Sequence, residues 1–389
     1  MNFPKWPYYS PEEIQKVKDI LISGRVNYWT GKEGQIFEKE FANFSLSKYA
    51  VTLANGSLAL SAAYLALDIK NNIELITTPR TFIATSSSAY LLNAKPIFAD
   101  VDIDSGCITA EFIEPLISKN TKAICVVHLA GWPCDMESIC DLAKKYGIYV
   151  IEDCSQAHGA QINGKSVGSF GDVSIWSFCQ DKIISTGGEG GMLTTNSEEI
   201  YEKVWSFRDH GKTIKSMKFK KKSNEFRFVH ENFGSNFRMT EVQSALGRIQ
   251  LRNIFETNKI RAQNAKILID TLSEVECIRI PIPKEKYNHA WYKFYCYLNF
   301  DSLKENWNRE KIINEINKLG YPAFSGGCSE IYLENCFLNA NLSPTSRLKN
   351  AKLLGETSLM FLVHHTISFS EMKEYAETIK RILILSMKD

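Results

Sequence analysis

Lys182 stands in the stretch SFCQDKIISTGGEGG, behind the apolar run VSIWSF (173–178) and ahead of Gly187, Gly188, Gly190 and Gly191. A lysine partly desolvated at a strand end can lose its proton and attack an aldehyde. The glycines let a bound group approach the backbone closely. Alone, this lysine is one surface cation among many. Asp153 closes the run YVIED. A carboxylate at the carboxyl end of a buried parallel strand points into the crevice where α/β proteins bind ligands. Opposite a pyridine nitrogen it would keep the ring protonated, and a protonated ring withdraws electrons from a neighbouring carbanion. NGSLAL (55–60) is a Gly-Ser turn opening a helix. The N–H groups of Gly56, Ser57 and Leu58 would be free donors at the positive end of the helix dipole, an anion site suited to a phosphate monoester. The plainer alternative makes Ser57 an N-cap. Phe82, in PRTFIAT, either stacks on a planar ring or packs in the core. An aldehyde-capturing lysine, an acid for a pyridinium, a phosphate cradle and a stacking ring together describe pyridoxal phosphate.

These groups need elements to carry them. Apolar runs alternate with helical patterns: AVTL (50–53) with SLALSAAYLAL (57–67), IELITT (73–78) with TFIATSSSAYLL (81–92), KPIFADV (95–101) with EFIEPLI (111–117), and AICVVHL (123–129) with MESICDLAKKY (136–146). The runs are rich in Val and Ile and continuous rather than alternating, as in strands buried on both faces. The pattern predicts a three-layer α/β/α domain around a mostly parallel sheet, over residues 1–250. Beyond it, a long helical stretch ends at IPIP (280–283). HAWYKFYCYLNF (289–300) reads as a strand and KIINEINKLG (311–320) as a helix with a Gly stop. A smaller α+β C-terminal domain over 251–389 follows.

Two motifs mislead. GAQINGKS (159–166) matches a P-loop, which would make the chain a nucleotide-binding protein. No helix can start at Ser166, because VGSFGDVSIWSF follows, and Asn163-Gly164 reads as a hairpin turn. DVDIDSGCITAE (100–111) resembles a calcium loop but has Ser105 where the sharp turn needs glycine, so no metal is expected there. The adjacent His364 and His365 read as a solvated or structural pair rather than metal ligands.

The motifs NGSLAL, VIEDCSQAHGA (150–160), SFCQDKIISTGGEGGM (177–192) and GSNFRMTEVQSALGRIQL (234–251) occur in one order. In that order they resemble the DegT/StrS family of sugar aminotransferases, within the fold-type I aspartate aminotransferase superfamily. The resemblance implies that Lys182 binds the cofactor aldehyde and shuttles a proton. It implies that Asp153 bonds the pyridine nitrogen and that Gln156 contacts the ring or its hydroxyl. Gly56, Ser57 and Ser177 would hold the phosphate, and Phe82 takes the stacking position. Asn236 would reach the phosphate of a partner subunit, so a homodimer with shared active sites is implied. The activity implied is transfer of an amino group from glutamate, through pyridoxamine phosphate, to a nucleotide-linked keto-sugar such as a 4-keto-6-deoxyhexose, serving amino-sugar and surface polysaccharide synthesis. A dehydratase or epimerase of the same fold is the alternative. Some members carry His in place of the lysine and act as dehydratases, so Lys182 favours transamination. The chain departs from the family at SGGCSEIYLENCF (325–337) and FLVHHTIS (361–368), which leaves the sugar open. Candidate substrate contacts are Asn27, Tyr28, Trp29, Glu330 and Tyr332.

Composition bounds the partners. The chain has 389 residues, 46 Lys+Arg and 44 Asp+Glu, a net charge of +2. That excludes a nucleic-acid partner held by bulk charge. Six lysines gather at 212, 215, 218, 220, 221 and 222. They form either a solvated loop or a collar for a diphosphate. No apolar run is long enough to span a membrane. No leader opens the sequence, and ten scattered cysteines suit free thiols in the cytoplasm.

Overall fold

The computed structural model describes residues 3–218 and 228–388. The large sheet has seven strands: β1 (Tyr49–Leu53), β2 (Glu74–Thr77), β3 (Lys95–Phe98), β4 (Thr121–Val127), β5 (Tyr149–Asp153) and, after the two-residue strands β6 (Gln161–Ile162) and β7 (Lys165–Ser166), β8 (Val173–Ser177) and β9 (Gly191–Thr195). Their spatial order is β1-β9-β8-β5-β4-β2-β3. From β3 through β8 every pairing is parallel, and β9 runs antiparallel to both neighbours. β1 therefore runs in the same direction as β8. The carboxyl ends of β1, β2, β4, β5 and β8 share one edge, where α/β sheets bind ligands.

The strands are continuous apolar runs because both faces are covered. One core gathers Val51, Leu53, Ile151 and Leu193 with the helix Gly56–Ala66, and another gathers Ile76, Ile124 and Val150 with the helix Met136–Tyr146. The P-loop lookalike is a hairpin: β6 pairs antiparallel with β7, and Asn163 and Gly164 take φ of 50° and 78°. Two consecutive left-handed residues make the turn that matches strand twist. The calcium-loop lookalike has structural work instead. Asp100 accepts from the backbone of Asn350 and Ala351, in the first turn of the helix Lys349–Thr357. Asp102 Oδ1 accepts from Asp104 and Ser105 within its own turn.

A second sheet follows: β10 (Ile278–Arg279), β12 (Phe294–Leu298), β13 (Ala323–Phe324) and β14 (Ser358–Phe361), in the order β10-β12-β14-β13 and antiparallel throughout. It packs with the helices Ile254–Leu272, Arg309–Lys318 and Phe369–Ser386 around its own core. The stretch MTEVQSALGRIQL begins where a capping box forms between Thr240 and Gln243, and the helix breaks at Asn253. Between the sheets, β11 (Tyr287–Asn288) pairs with β6, so the later segment grips the larger domain. Only Phe294–Leu298 of the run 289–300 is strand. Trp291 takes φ of 49°, and Ala290 and Tyr292 donate backbone hydrogen bonds to Gly131 and Ala130 at the end of β4.

Candidate active site

Asp153 ends β5, and Lys182 lies in the loop that follows the neighbouring β8. The Asp153 carboxylate is 4% exposed. Its Oδ2 accepts from Thr85 Oγ1 at 2.9 Å and its Oδ1 from the Ser155 N–H at 3.1 Å. Thr85 lies in the helix Ala84–Tyr90, just after Phe82. The segment beyond β2 thus supplies both an aromatic ring and the hydroxyl that orients the acid.

Side chains alternate along a strand, so Glu152 faces away from Asp153. It is buried and accepts from the N–H groups of Gly168, Phe170 and Gly171 at 2.8, 2.8 and 2.7 Å. His128 Nε2 lies 3.1 Å away. His128 Nδ1 accepts from the Cys134 N–H, so the Nε2 proton faces Glu152. Burial pushes the Glu152 carboxyl up, but the His128 hydrogen bond and backbone donors outweigh it, and the group stays below the usual carboxylate range. His128, Glu152 and Cys154 come within 4.8 Å of one another. The histidine's Nδ1 lone pair and the carboxylate oxygens are already engaged, so the cluster is structural.

At the phosphate cradle one expectation needs correcting. The N-cap is Asn55, not Ser57, and its side chain accepts from the Leu58 N–H at 2.9 Å. Leu58 is therefore not a free donor, and Gly56 and Ser57 remain in the first turn, where N–H groups lack helical partners. A Cβ added at Gly56 would fall 2.8 Å from the Ser177 Cβ. The helix start and the end of β8 are thus in direct contact, which explains the glycine. The Phe237 carbonyl accepts from the Ala54 N–H at 2.9 Å, so the segment after exposed Asn236 crosses beside this turn. Gln156 Oε1 accepts from the Ala130 N–H at 2.7 Å. Phe82 is 69% exposed, which removes the core-packing alternative.

Lys182 Nζ lies 3.5 Å from Tyr292 Oη and 4.9 Å from that ring's centre. The Tyr292 hydroxyl donates to Asp181, and Lys293 Nζ stands 3.8 Å from the same carboxylate. Burial pushes the Lys293 ammonium down to about 8. His158 is pushed down to about 3, chiefly by burial and then by the charges of Lys182 and Arg261. Arg261 is 1% exposed, its Nε and Nη2 have no acceptor, and burial brings it down to about 10. An N-terminal strap lies over this loop. Trp6 Nε1 donates to the Lys182 carbonyl at 2.7 Å, and Gly187 N–H donates to Tyr9 Oη at 3.0 Å. Thr366 Oγ1 donates to the Lys5 carbonyl, and the Phe3 ring meets Tyr321 and Tyr375. A cavity of about 690 Å³ opens between strap, Asp181, Lys293 and His364.

Sequence reasoning missed Thr85, Asp181, Tyr292, Lys293 and Arg261. The polar tips inside the aromatic run HAWYKF were the available signal for Tyr292 and Lys293. The candidate substrate residues have partners of their own. Tyr28 is 5% exposed, donates to Glu38 Oε2 at 2.9 Å and lies under the Arg208 guanidinium. Tyr332 is 1% exposed and hydrogen-bonds Glu330, which pairs with Arg347. Only Asn27 and Trp29 present surface, with Lys212 Nζ 5.2 Å over the Trp29 ring. Lys212 also pairs with Asp209. Lys220, Lys221 and Lys222 lie outside the described residues. His364 bonds Thr366 and His365 packs edge-on against Trp6, so the histidine pair is structural and not solvated.

An acid at one strand end, a lysine after its neighbour and a glycine-opened helix on the same edge define a fold-type I transferase. The chain belongs to the DegT/DnrJ/EryC1/StrS aminotransferase family, whose model matches residues 7–379. It is similar to the solved aminotransferase from Psychrobacter cryohalolentis, with 48% identity, 99% of each chain covered and a TM-score of 0.97. It is 36% identical over 307 residues to a UDP-N-acetyl-3-dehydro-alpha-D-glucosamine 3-aminotransferase of Acidithiobacillus ferrooxidans, covering 77% of this chain and 80% of that protein. It is 38% identical over 248 residues to a GDP-perosamine synthase of Escherichia coli O157:H7, covering 63% of this chain and 65% of that protein. Among the described residues, no helix is long and apolar enough to cross a membrane.

Proposed function

We propose that the chain is a pyridoxal-phosphate-dependent aminotransferase that moves an amino group from glutamate to a nucleotide-linked keto-sugar. The observation that carries this reading is the shared sheet edge. Asp153, Lys182, Gly56 with Ser177, and Phe82 follow four different strand ends on that edge. The relatives named for UDP- and GDP-linked sugars support the substrate class, and a 4-keto-6-deoxyhexose remains our first candidate.

The residues fit the cofactor. Gly56 leaves room at the helix start, where a larger residue would collide with Ser177. Asp153 is held in place by Thr85 and by the Ser155 N–H, so that its carboxylate can accept from one donor, a ring N–H. When bound, pyridoxal phosphate supplies an aldehyde for amine exchange and a ring that takes up the electrons released on proton loss. Gly56, Ser57 and Ser177 anchor the phosphate, Phe82 covers one ring face and Gln156 orients the ring. Lys182 Nζ takes the proton from the donor carbon and returns it on the other side of the exchange. Residues 1–250 carry this machinery, and 251–389 close over the substrate. Exposed Asn236 contacts the phosphate of a second copy, so the working unit is a homodimer. The ten free cysteines suit the cytoplasm, and amino-sugar synthesis for surface polysaccharide is the setting we infer.

The test combines the chain, pyridoxal phosphate, ¹⁵N-glutamate and a panel of nucleotide keto-sugars, read by product mass. One sugar should gain a ¹⁵N amine. Lys182→Ala should lose both turnover and the visible cofactor band. If the protein binds cofactor but aminates no sugar, the substrate reading fails. Dehydration without nitrogen incorporation would favour the dehydratase alternative.

A further inference from the structure

Lys182 works only when its amine is free of the cofactor for part of each cycle and is neutral at the moment it accepts a proton. Something must hold that amine and balance its charge. Among the described residues its Nζ meets one polar side chain, Tyr292, at 3.5 Å. The Tyr292 proton is committed to Asp181, so the lone pairs of Oη face the lysine. Tyr292 is 7% exposed, which keeps solvent from replacing it. The nearest carboxylate behind the tyrosine is Asp181, which opens onto the cavity under the N-terminal strap. Asp181 is also the only carboxylate that Lys293 pairs with among the described residues. The other charged or titratable groups around the pocket are Lys5 on the strap, Arg261 on its helix, His158 after β5, Tyr321, and His364 after β14. None of them supplies a carboxylate. One anion therefore serves two ammonium groups.

Taking Lys182 as the cofactor lysine, we propose that Asp181 and Tyr292 are positioning residues for it: Tyr292 docks the free Nζ, Asp181 is its counter-ion, and Lys293 competes for that counter-ion. An opposite charge nearby favours the charged form of a lysine, and a like charge disfavours it. The arrangement thus makes two substitutions act in opposite directions. Removing the Asp181 charge leaves the Lys182 ammonium unsupported and raises the fraction of neutral amine. Removing the Lys293 charge leaves Asp181 to Lys182 alone and lowers that fraction. Damage to folding would move both variants the same way.

The experiment strips the full-length protein of cofactor and measures the rate of pyridoxal phosphate capture between pH 6 and 10. Only the neutral amine attacks an aldehyde, so the midpoint of this profile reports the proton affinity of Lys182. Asp181→Asn should move the midpoint down by about one unit, which at fixed lower pH is about a tenfold faster capture. Asp181→Glu should restore the original profile. Lys293→Met should move the midpoint up, slowing capture about threefold at the same pH. Tyr292→Phe should resemble Asp181→Asn with a smaller shift. Superimposable profiles for Asp181→Asn and the parent, or shifts of the same sign for Asp181→Asn and Lys293→Met, overturn the proposal. Lys182→Ala separates the two levels: if capture persists in that variant, the cofactor reading itself falls, whereas if capture needs Lys182 and the profiles still coincide, only the positioning role falls.

Discussion

The two walls that flank Lys182 are built on opposite plans. The sheet-edge wall is acidic and saturated. Asp153 has Thr85 and the Ser155 N–H, and Glu152, behind it on the opposite face of β5, has three backbone donors and His128. The facing wall, from Arg261, Tyr292, Lys293, His364 and His365, has its cations in Arg261 and Lys293 and is under-supplied with acceptors. Arg261 has none for two of its nitrogens, and burial pushes Lys293, His364 and His365 all toward their neutral forms. The difference teaches where rigidity is needed. Groups that orient a ring must be fixed before it arrives, and buried hydrogen bonds fix them. A wall that meets anionic substrates does better with positive charge left unpaired, at some cost in stability.

The sharpest way to break this contrast is to swap the neighbouring carboxylates for amides. Asp153→Asn should cut kcat by about 100-fold, the scale of losing one preorganised electrostatic group, while unfolding in urea is unchanged. Glu152→Gln should do the reverse, costing about 3 kcal/mol of stability because charged hydrogen bonds to three N–H groups are lost. Equal kinetic losses from both would erase the distinction between them. A second comparison sets two buried arginines against each other. Arg208 pairs with Glu38 at 2.6 Å, whereas Arg261 has no carboxylate partner among the described residues and lies over the Trp6 ring at 5.7 Å. Arg208→Met should cost about 3 kcal/mol, the scale for breaking a buried pair. Arg261→Met should leave the denaturation midpoint unchanged or raise it, since it removes an uncompensated buried charge. A smaller effect sharpens the acidic wall. Thr85→Val removes one donor from Asp153 and should lower kcat about tenfold, measured at saturating substrate. The last is a pH effect, negligible near neutrality and growing in acid. His158, His289 and His364 are pushed down to about 3, mainly by burial. Their folded-state values lie below the ordinary 6.5, so the stability they permit is complete above pH 6.5. It is lost as pH falls from there toward 3, by about 1.4 kcal/mol per unit for each histidine. His158→Phe should flatten that decline in a pH series of urea melts.

The acidic wall was legible in the sequence because its parts are local. YVIED, NGSLAL and the lysine after VSIWSF each couple a strand end to a residue type, and doubly buried strands announce themselves as continuous apolar runs. The facing wall was not legible. Tyr292 reaches Lys182 across 110 positions of chain, and Asp181 looks like any loop carboxylate until Tyr292 arrives. The run 289–300 reads as one strand, yet Trp291 turns left-handed and sends Tyr292 and Lys293 to the site. Tyr28 and Tyr332 show another gap. An aromatic in a polar stretch resembles a ligand contact, and nothing in the letters reveals that Glu38 and Glu330 already hold their hydroxyls.

The strap across the lysine loop has a practical consequence for anyone handling the protein. Phe3, Lys5, Trp6 and Tyr9 stitch the smaller core to the peptide that bears Lys182. A purification tag fused ahead of Phe3 would tug on the loop that bears Lys182, and a protease that trims the first nine residues would release it.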